Sequence, residues 1–508
     1  MRLQRPFRFL FALCCMLPCA AFADPAFLDA RPDALDSAAL KQKRQIEVYL
    51  PAESAKDPSG RYETLYVLDG DWNTHLVVEI VAFMHQVGLV PPLIVVSVLN
   101  FFDEHGVNSR DHDLTPTLAP ERVLSGGAAD FLAFLKTELT PYVDAHYPTN
   151  RVHLIHGHSY GGLFLAYALL HEPGLFDGYI VLDPALRWDN HALDAALTEQ
   201  LPGMPTKGKA IYIAGREGPA FEDMGIVSVK SIFETRAPRD LHWKIAAYPA
   251  ESHDSLKLKA TYDALRFVYH GYTANPVRLV PASGILIKGK PIFVGVDGAS
   301  FDQIDLHYTS DGTTPTASSP KADAPFPVSD PERTKVMQLS NRGVFDRALP
   351  LEFKSGNAIA PPRGVRTAAP WRIEYYAADA WPRLRGSAFK TATVDGRLNF
   401  DEAGRDAFAA RLSGNIDVPA DGYYVLAVFA DQARLALSDK PLFEQQSDKG
   451  APYRAFVAPL QHGTYPLRVE FLHATKASGL EVAVFQVKDG EPEWWKNKLL
   501  ELKSGEGH

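Results

Sequence analysis

Two patterns of apolar and polar positions divide the chain. From Gln45 to about Tyr272, short apolar runs alternate with amphipathic stretches. Gln45–Leu50, Thr64–Leu68, Leu93–Leu99, Val152–His156, Tyr179–Leu182, Ala210–Ala214 and Trp243–Tyr248 read as strands. Between 128 and 146, Phe131, Leu132, Leu135, Leu139, Tyr142 and Val143 recur at three- and four-residue spacing, which predicts a helix with one apolar face. Gly162–His171 is apolar nearly all round, which predicts a buried helix. Strands alternating with helices imply a mostly parallel, covered sheet. After Asn275 the helical period fades, and clusters of Gly, Pro, Asp and Ser separate short strand-like runs. Pro291–Gly295, Asp305–Thr309, Tyr423–Phe429, Arg434–Leu437 and Tyr465–Phe471 are examples, so this half reads as β-rich. Ala360-Pro361-Pro362-Arg363-Gly364 reads as a linker between two β units, and the charged stretch Lys496–His508 as a frayed tail.

Length and charge narrow this picture. A chain of 508 residues exceeds a single core and points to several domains. The net charge of −9 is spread without long runs, which leaves no footprint for nucleic acid and no polybasic membrane patch. Arg2, Arg5 and Arg8 precede the apolar run Phe9–Cys19, and Ala21-Phe22-Ala23 has the small-x-small pattern of a processing site. Residues 1–23 therefore read as a signal peptide cleaved after Ala23, and the protein as secreted or periplasmic. The run is too short for a spanning helix, and Met16-Leu17-Pro18 before Cys19 is a poor lipobox. Cys14, Cys15 and Cys19, the three cysteines of the chain, all lie in this leader, so the mature chain is expected to hold no disulfide and no reactive thiol.

The chemistry-bearing motif is Gly157-His158-Ser159-Tyr160-Gly161. A strand-like run feeds into it and an apolar helix follows, as in a nucleophile elbow. Gly157, Gly161 and Gly162 remove side chains that would crowd so tight a turn. Ser159 is the expected nucleophile, and a serine hydroxyl needs a base. His253, in the loop after the last strand, is the expected base; His156 and His158, which flank the serine, and His112, in an earlier loop, are competitors. The orienting acid is expected after the strand before the last, at Glu217, with Glu222, Asp223 or no acid at all as alternatives. Two backbone donors are expected for the oxyanion, the N–H groups of Tyr160 and Asp71. Asp69 and Asp71 read as turn residues rather than metal ligands, and no metal or other cofactor is required.

Five segments taken in order carry a resemblance. They are Tyr66–Asp71, Arg110–Thr117, Gly157–Gly162, Leu182–Trp188 and Glu251-Ser252-His253. Together they resemble the esterase-D-like esterases, which include periplasmic ferric enterobactin esterases and are similar in fold to the mycolyltransferases. The resemblance spans about residues 35–272 and implies an α/β-hydrolase fold that cleaves esters through an acyl-enzyme. It implies that Arg110 and Trp188 lie near the substrate; Arg187 stands where such enzymes often hold a second aromatic. Downstream, Asp305–Thr316 resembles the small β-sandwich at the C-terminus of chitobiases. Tyr375–Phe485, with Val418-Pro419-Ala420-Asp421-Gly422-Tyr423-Tyr424 and His462-Gly463-Thr464-Tyr465, resembles a protective-antigen-type β-sandwich. Lectin-like members use two adjacent aspartates for calcium; Asp431 stands alone here, beside Gln432.

The expected organisation is a leader at 1–23, an α/β-hydrolase domain at 24–275, β-sandwiches at 276–365 and 366–490, and a tail at 491–508. The expected activity is that of an exported serine esterase acting on a small-molecule or glycan-linked ester, with carbohydrate contact through the β-domains as a secondary expectation. An acyltransferase using the same Ser–His pair, or a glycan-binding protein on a hydrolase scaffold, are the alternatives.

Overall fold

The computed structural model describes residues 26–504, apart from 120–123, 275–276, 298–302, 366–369, 385, 395, 447–452, 476–477 and 489. The expected leader and its cysteines lie outside the described residues. Among the described residues no helix is long and apolar enough to cross a membrane. The chain divides after Tyr269 into two compact units.

The first unit is built on an eight-stranded sheet: β1 (Arg31–Ser37), β2 (Gln42–Tyr49), β3 (Tyr62–Val67), β4 (Leu93–Val98), β5 (Thr149–His158), β6 (Gly178–Leu182), β7 (Ala210–Arg216) and β8 (His242–Tyr248). The spatial order is β1-β2-β4-β3-β5-β6-β7-β8. From β4 to β8 neighbouring strands run parallel, while β1 and β2 add an antiparallel edge. Seven strands fall where the apolar runs predict them. β1 escapes prediction because it is a solvated edge strand, RPDALDS, whose proline and two aspartates blur any alternation.

The helices also follow their sequence signals. The expected helix at 128–146 is continuous from Ala128 to His146, with one wider turn over Leu135–Leu139. Four helices matter for the site: α1 (Gly70–Gln86), α2 (Arg110–Leu114), α3 (Tyr160–His171) and α4 (Leu256–Val268). In α3, Leu163, Phe164, Leu165, Ala168, Leu169 and Leu170 are all buried, as an apolar surround requires. Strands β3 and β4 are buried at every position, the pattern of a sheet covered on both faces. This is an α/β-hydrolase fold, and the open ends of its parallel strands carry the loops that follow β3, β5, β6, β7 and β8.

The second unit is all-β apart from short 3₁₀ turns. A seven-stranded sheet runs Glu352–Ser355, Ser283–Leu286, Tyr453–Leu460, Gly422–Phe429, Glu481–Val487, Lys498–Ser504 and Arg397–Leu398. A six-stranded sheet runs Lys390–Val394, Trp371–Tyr376, Phe408–Val418, Gly463–His473, Gln432–Leu437 and Lys440–Gln446. Their inner faces meet in one core that includes Phe408, Tyr424, Tyr465 and Phe471. Ser283–Leu286 and Glu352–Ser355, from the stretch expected to be a separate sandwich at 276–365, pair into the larger sheet alongside Tyr453–Leu460. Two three-stranded sheets account for the rest of that stretch.

Within the stretch expected to fray, seven described residues form a strand. Lys498–Ser504 pairs antiparallel with Glu481–Val487 and parallel with Arg397–Leu398. Its charges misled because they sit on the exposed face, while Leu502 is buried and Trp494 just before it is fully enclosed. Leu502→Ala is therefore expected to cost the second unit about 2–5 kcal/mol. Chemical denaturation of the full chain should show this as an earlier transition for that unit, with the transition of the first unit unmoved.

Candidate active site

Ser159 occupies a sharp turn between β5 and α3. Its φ and ψ are 59° and −115°, a conformation that costs energy for any residue with a side chain. Three backbone hydrogen bonds hold it there. Ser159 N–H donates to Leu182 O at 2.9 Å, and Ser159 O accepts from Leu163 N–H and Ala185 N–H at 3.0 and 3.1 Å. The flanking glycines explain the motif. A Cβ on Gly157 would stand 2.6 Å from the Gly161 carbonyl carbon, and one on Gly162 would stand 2.8 Å from Pro184 Cβ. Gly161 is less constrained, with Asp69 Oδ2 at 3.5 Å as its nearest neighbour.

The carboxylate that meets His253 comes from the end of the neighbouring strand β6 and not from the loop after β7. β5 and β6 are parallel, with His158 opposite Leu182, so Ser159 and Asp183 follow side by side at the strand ends. Asp183 is fully buried, and its Oδ2 lies 2.6 Å from His253 Nδ1. Glu217 does not take this place. It is exposed beyond the end of β7, where its backbone N–H donates to Tyr248 O at 3.0 Å. Glu222 and Asp223 are exposed on the following short helix. The order serine, aspartate, histidine is kept, but the acid follows β6 rather than β7. Asp183 stood in the motif Leu182-Asp183-Pro184; the signal was a carboxylate directly after the strand next to the nucleophile's own.

His253 sits in the loop between β8 and α4, and that loop is braced internally. Ser252 N–H donates to Ser255 Oγ at 2.9 Å and Ser255 N–H to Ser252 Oγ at 3.0 Å. Glu251 accepts from Ser255 Oγ and is ion-paired with Lys259. A further brace comes from the elbow itself: His158 Nε2 donates to the backbone carbonyl of His253 at 2.8 Å, and the two rings lie 4.2 Å apart, centroid to centroid. His158 thus points at the base rather than acting as one. His156 is buried and bonded to Thr261 Oγ1 at 3.1 Å, and His112 contacts Asp113.

Burial raises the Asp183 carboxyl, but the hydrogen bonds from His253 and Arg216 outweigh it and hold the group below the ordinary carboxylate range. Burial pushes His158 down to about 4, helped by the adjacent His253, and pushes His156 down to about 3. Both rings are therefore neutral at neutral pH.

The expected oxyanion donors begin two helices. Asp69, at φ 52° and ψ 47°, turns the chain from β3 into α1, and Asp71 lies in the first turn. Tyr160 is the first residue of α3. First-turn N–H groups have no partner within their helix and carry the positive end of its dipole. The two helix starts are brought together because β3 and β5 are paired, with Val67 opposite His156. The Asp71 carboxylate is used elsewhere, accepting from Asn100 N–H at 2.8 Å.

One wall of the site is aromatic and cationic. Arg110 donates to both oxygens of the buried Asp69, from Nε at 2.7 Å and Nη2 at 2.9 Å. Its guanidinium lies 5.3 Å from the centroid of the Trp72 ring and 5.2 Å from that of Tyr160. Trp72 is 56% exposed. Trp188 is buried instead; it meets Tyr160 edge-on at 5.4 Å and donates to Thr117 Oγ1 at 3.0 Å. It supports the wall from behind. The loop that carries Arg110 is fixed by a buried pair, Arg44 to Asp113 at 2.8 Å, with Ser109 Oγ also donating to Asp113.

Residues 37–223 match the family described as "Putative esterase". Within this esterase module fall Ser159, Asp183, Arg110 and Arg216, while His253 lies beyond the matched stretch. Residues 390–492 of the second unit match the PA14 domain. The esterase module is similar to the siderophore triacetylfusarinine C esterase of Aspergillus fumigatus, at 40% identity over 83 residues, which is 16% of this chain and 28% of that protein. It is also similar to the ferri-bacillibactin esterase BesA of Bacillus subtilis, at 28% identity over 163 residues, 29% of this chain and 56% of that protein. The chain thus spans less than two thirds of these relatives' lengths. Among solved structures, an IroE-like serine hydrolase from Shewanella oneidensis aligns at 26% identity and a TM-score of 0.43, covering 48% of this chain and 80% of that one.

Two buried neutral histidines beside the nucleophile predict an acid-labile first unit. The unfolded chain takes up protons on His156 and His158 below about pH 6.5, whereas the folded unit resists until about 3 and 4 respectively. Stability present above pH 6.5 is therefore lost as pH falls towards 4. Urea denaturation from pH 7.5 to 4.5 should show this decline in the transition of the first unit, and His158→Gln should make it shallower.

Proposed function

We propose that this chain is an exported carboxylic-ester hydrolase that works through an acyl-enzyme on Ser159. The observation that carries the reading is the 2.6 Å contact between His253 Nδ1 and the buried Asp183, formed at the strand end beside a strained serine elbow. Asp183 fixes the imidazole so that Nε2 is the free nitrogen. His253 Nε2 takes the Ser159 proton as Oγ attacks the ester carbonyl carbon. The N–H groups of Tyr160 and Asp71 hold the oxyanion. The carbonyl re-forms, the alcohol leaves with the proton from His253, and an acyl ester remains on Ser159. Water then attacks that ester, gives its proton to His253, and releases the acid and Ser159.

A siderophore ester is the substrate class we favour. The relative at 40% identity is by name a siderophore triacetylfusarinine C esterase, and the one at 28% a ferri-bacillibactin esterase. The exposed Trp72, backed by Arg110, offers a flat face against which a planar acyl group stacks. Export rests on the leader at residues 1–23 and on a mature sequence without cysteine.

The mature protein should hydrolyse p-nitrophenyl acetate, and Ser159→Ala should reduce this to background. Asp183→Asn should lower kcat on the order of 10⁴-fold, whereas Glu217→Gln should leave it unchanged. Full activity in Asp183→Asn, or loss in Glu217→Gln, would return the acid to Glu217. A panel of ferric siderophores, acetylated sugars and short acyl esters, scored by kcat/KM, tests the substrate class; preference for an acetylated sugar counts against the siderophore assignment.

A further inference from the structure

The strand end expected to hold the acid holds a cation. Arg216, the last residue of β7, points its Nε at Asp183 Oδ2 from 2.5 Å, and its backbone N–H donates to Asp183 Oδ1 at 3.3 Å. His253 Nδ1 donates to that same Oδ2. One buried carboxylate oxygen therefore serves two donors. We propose that Arg216 is a positioning residue that acts through Asp183 to lower the pH at which His253 becomes protonated, so that His253 stays free to accept the Ser159 proton in mildly acidic surroundings. The inference rests on the hydrolase reading for its use, though not for its test.

The physical reasoning is a charge count. In a simple serine, histidine and aspartate set, the imidazolium formed during catalysis is balanced by a lone carboxylate. Here the guanidinium already balances Asp183, so protonating His253 leaves the trio with a net positive charge. Arg216 is permanently charged, and an Asp183 held below the ordinary carboxylate range remains ionised. The other groups facing His253 do not cancel this effect. His158, from the end of β5, is neutral. Lys257 and Asp254, from the start of α4 and the turn before it, pair with each other at 3.1 Å. Sharing Oδ2 also weakens the hydrogen bond that Asp183 can make to the imidazolium. A purely structural Arg216 would fix the position of Asp183 without moving the titration of His253.

The test is the titration itself. In the full chain carrying carbon-13-labelled histidine, the His253 resonance can be assigned by its loss in His253→Gln and followed against pH. Removing the charge in Arg216→Gln or Arg216→Met should move the His253 midpoint upward by about one pH unit. Arg216→Lys, which keeps the charge, should stay close to the parent chain. The acidic limb of kcat/KM for p-nitrophenyl acetate should move up with the midpoint, lowering kcat/KM about tenfold below both midpoints. Two neutral variants are used so that a folding failure in one leaves the other to decide. A folded neutral variant whose His253 midpoint is unmoved or falls overturns the proposal. If the parent chain hydrolyses no ester, the hydrolase reading fails, yet the resonance still reports whether Arg216 governs His253.

Discussion

The Asp183 carboxylate is the point on which the site depends. It leaves the end of β6, is shielded from water, and accepts from a histidine after β8 and an arginine ending β7. A buried carboxylate without partners would be forced to take up a proton. Two charged or polar donors reverse that preference and keep it ionised. The same bonds fix the ends of three strands relative to one another. A single ion thus contributes both the electrostatics of the site and part of its rigidity.

A second pair of ions repeats this logic on the other side of the serine. Asp69, left-handed at the start of α1, is clamped in two places by Arg110. Arg110 is in turn placed by α2, whose own Asp113 is pinned to Arg44 on β2. Arg44 lies over Phe131, 5.2 Å from the ring centroid, so its charge is covered by aromatic surface and paired at once. Removing one partner of such a buried pair costs about 3–5 kcal/mol, because the other charge is stranded. The helix starts at Asp71 and Tyr160 are therefore braced through side chains of α2 and β2. Donors that must not relax when charge develops need support of this kind.

Much of this was legible in the sequence, for physical reasons that differ residue by residue. The covered strands were readable because burial on both faces demands unbroken apolar runs, and Leu93–Val98 shows it at every position. The elbow was readable because only glycine fits at 157 and 162. His253 was readable because it follows the last strand of the sheet. Glu217 was misleading because strand order along the chain does not say which strand end faces the imidazole; that depends on how the 249–255 loop folds back across the sheet. The burial of Trp188 was not legible for a similar reason, since its depth behind Tyr160 is set by tertiary packing. Edge strand β1 and the strand Lys498–Ser504 were hidden by their solvated faces.

The placement of the acid on β6 has a consequence for how the site tolerates motion. Adjacent strands lie about 4.8 Å apart, so Ser159 and Asp183 are fixed to each other by the sheet's own hydrogen bonds. His253 alone comes from a loop, and it is the member that the proposed mechanism has move a proton in both directions. Its freedom is limited at both ends: Nδ1 is held by Asp183, and its backbone carbonyl is held by the His158 side chain from the elbow. His158 must carry its proton on Nε2 to do this, and burial keeps the ring neutral. The residue before the nucleophile therefore ties the base to the strand that carries the serine, which makes the Gly-His-Ser sequence a mechanical unit as well as a turn.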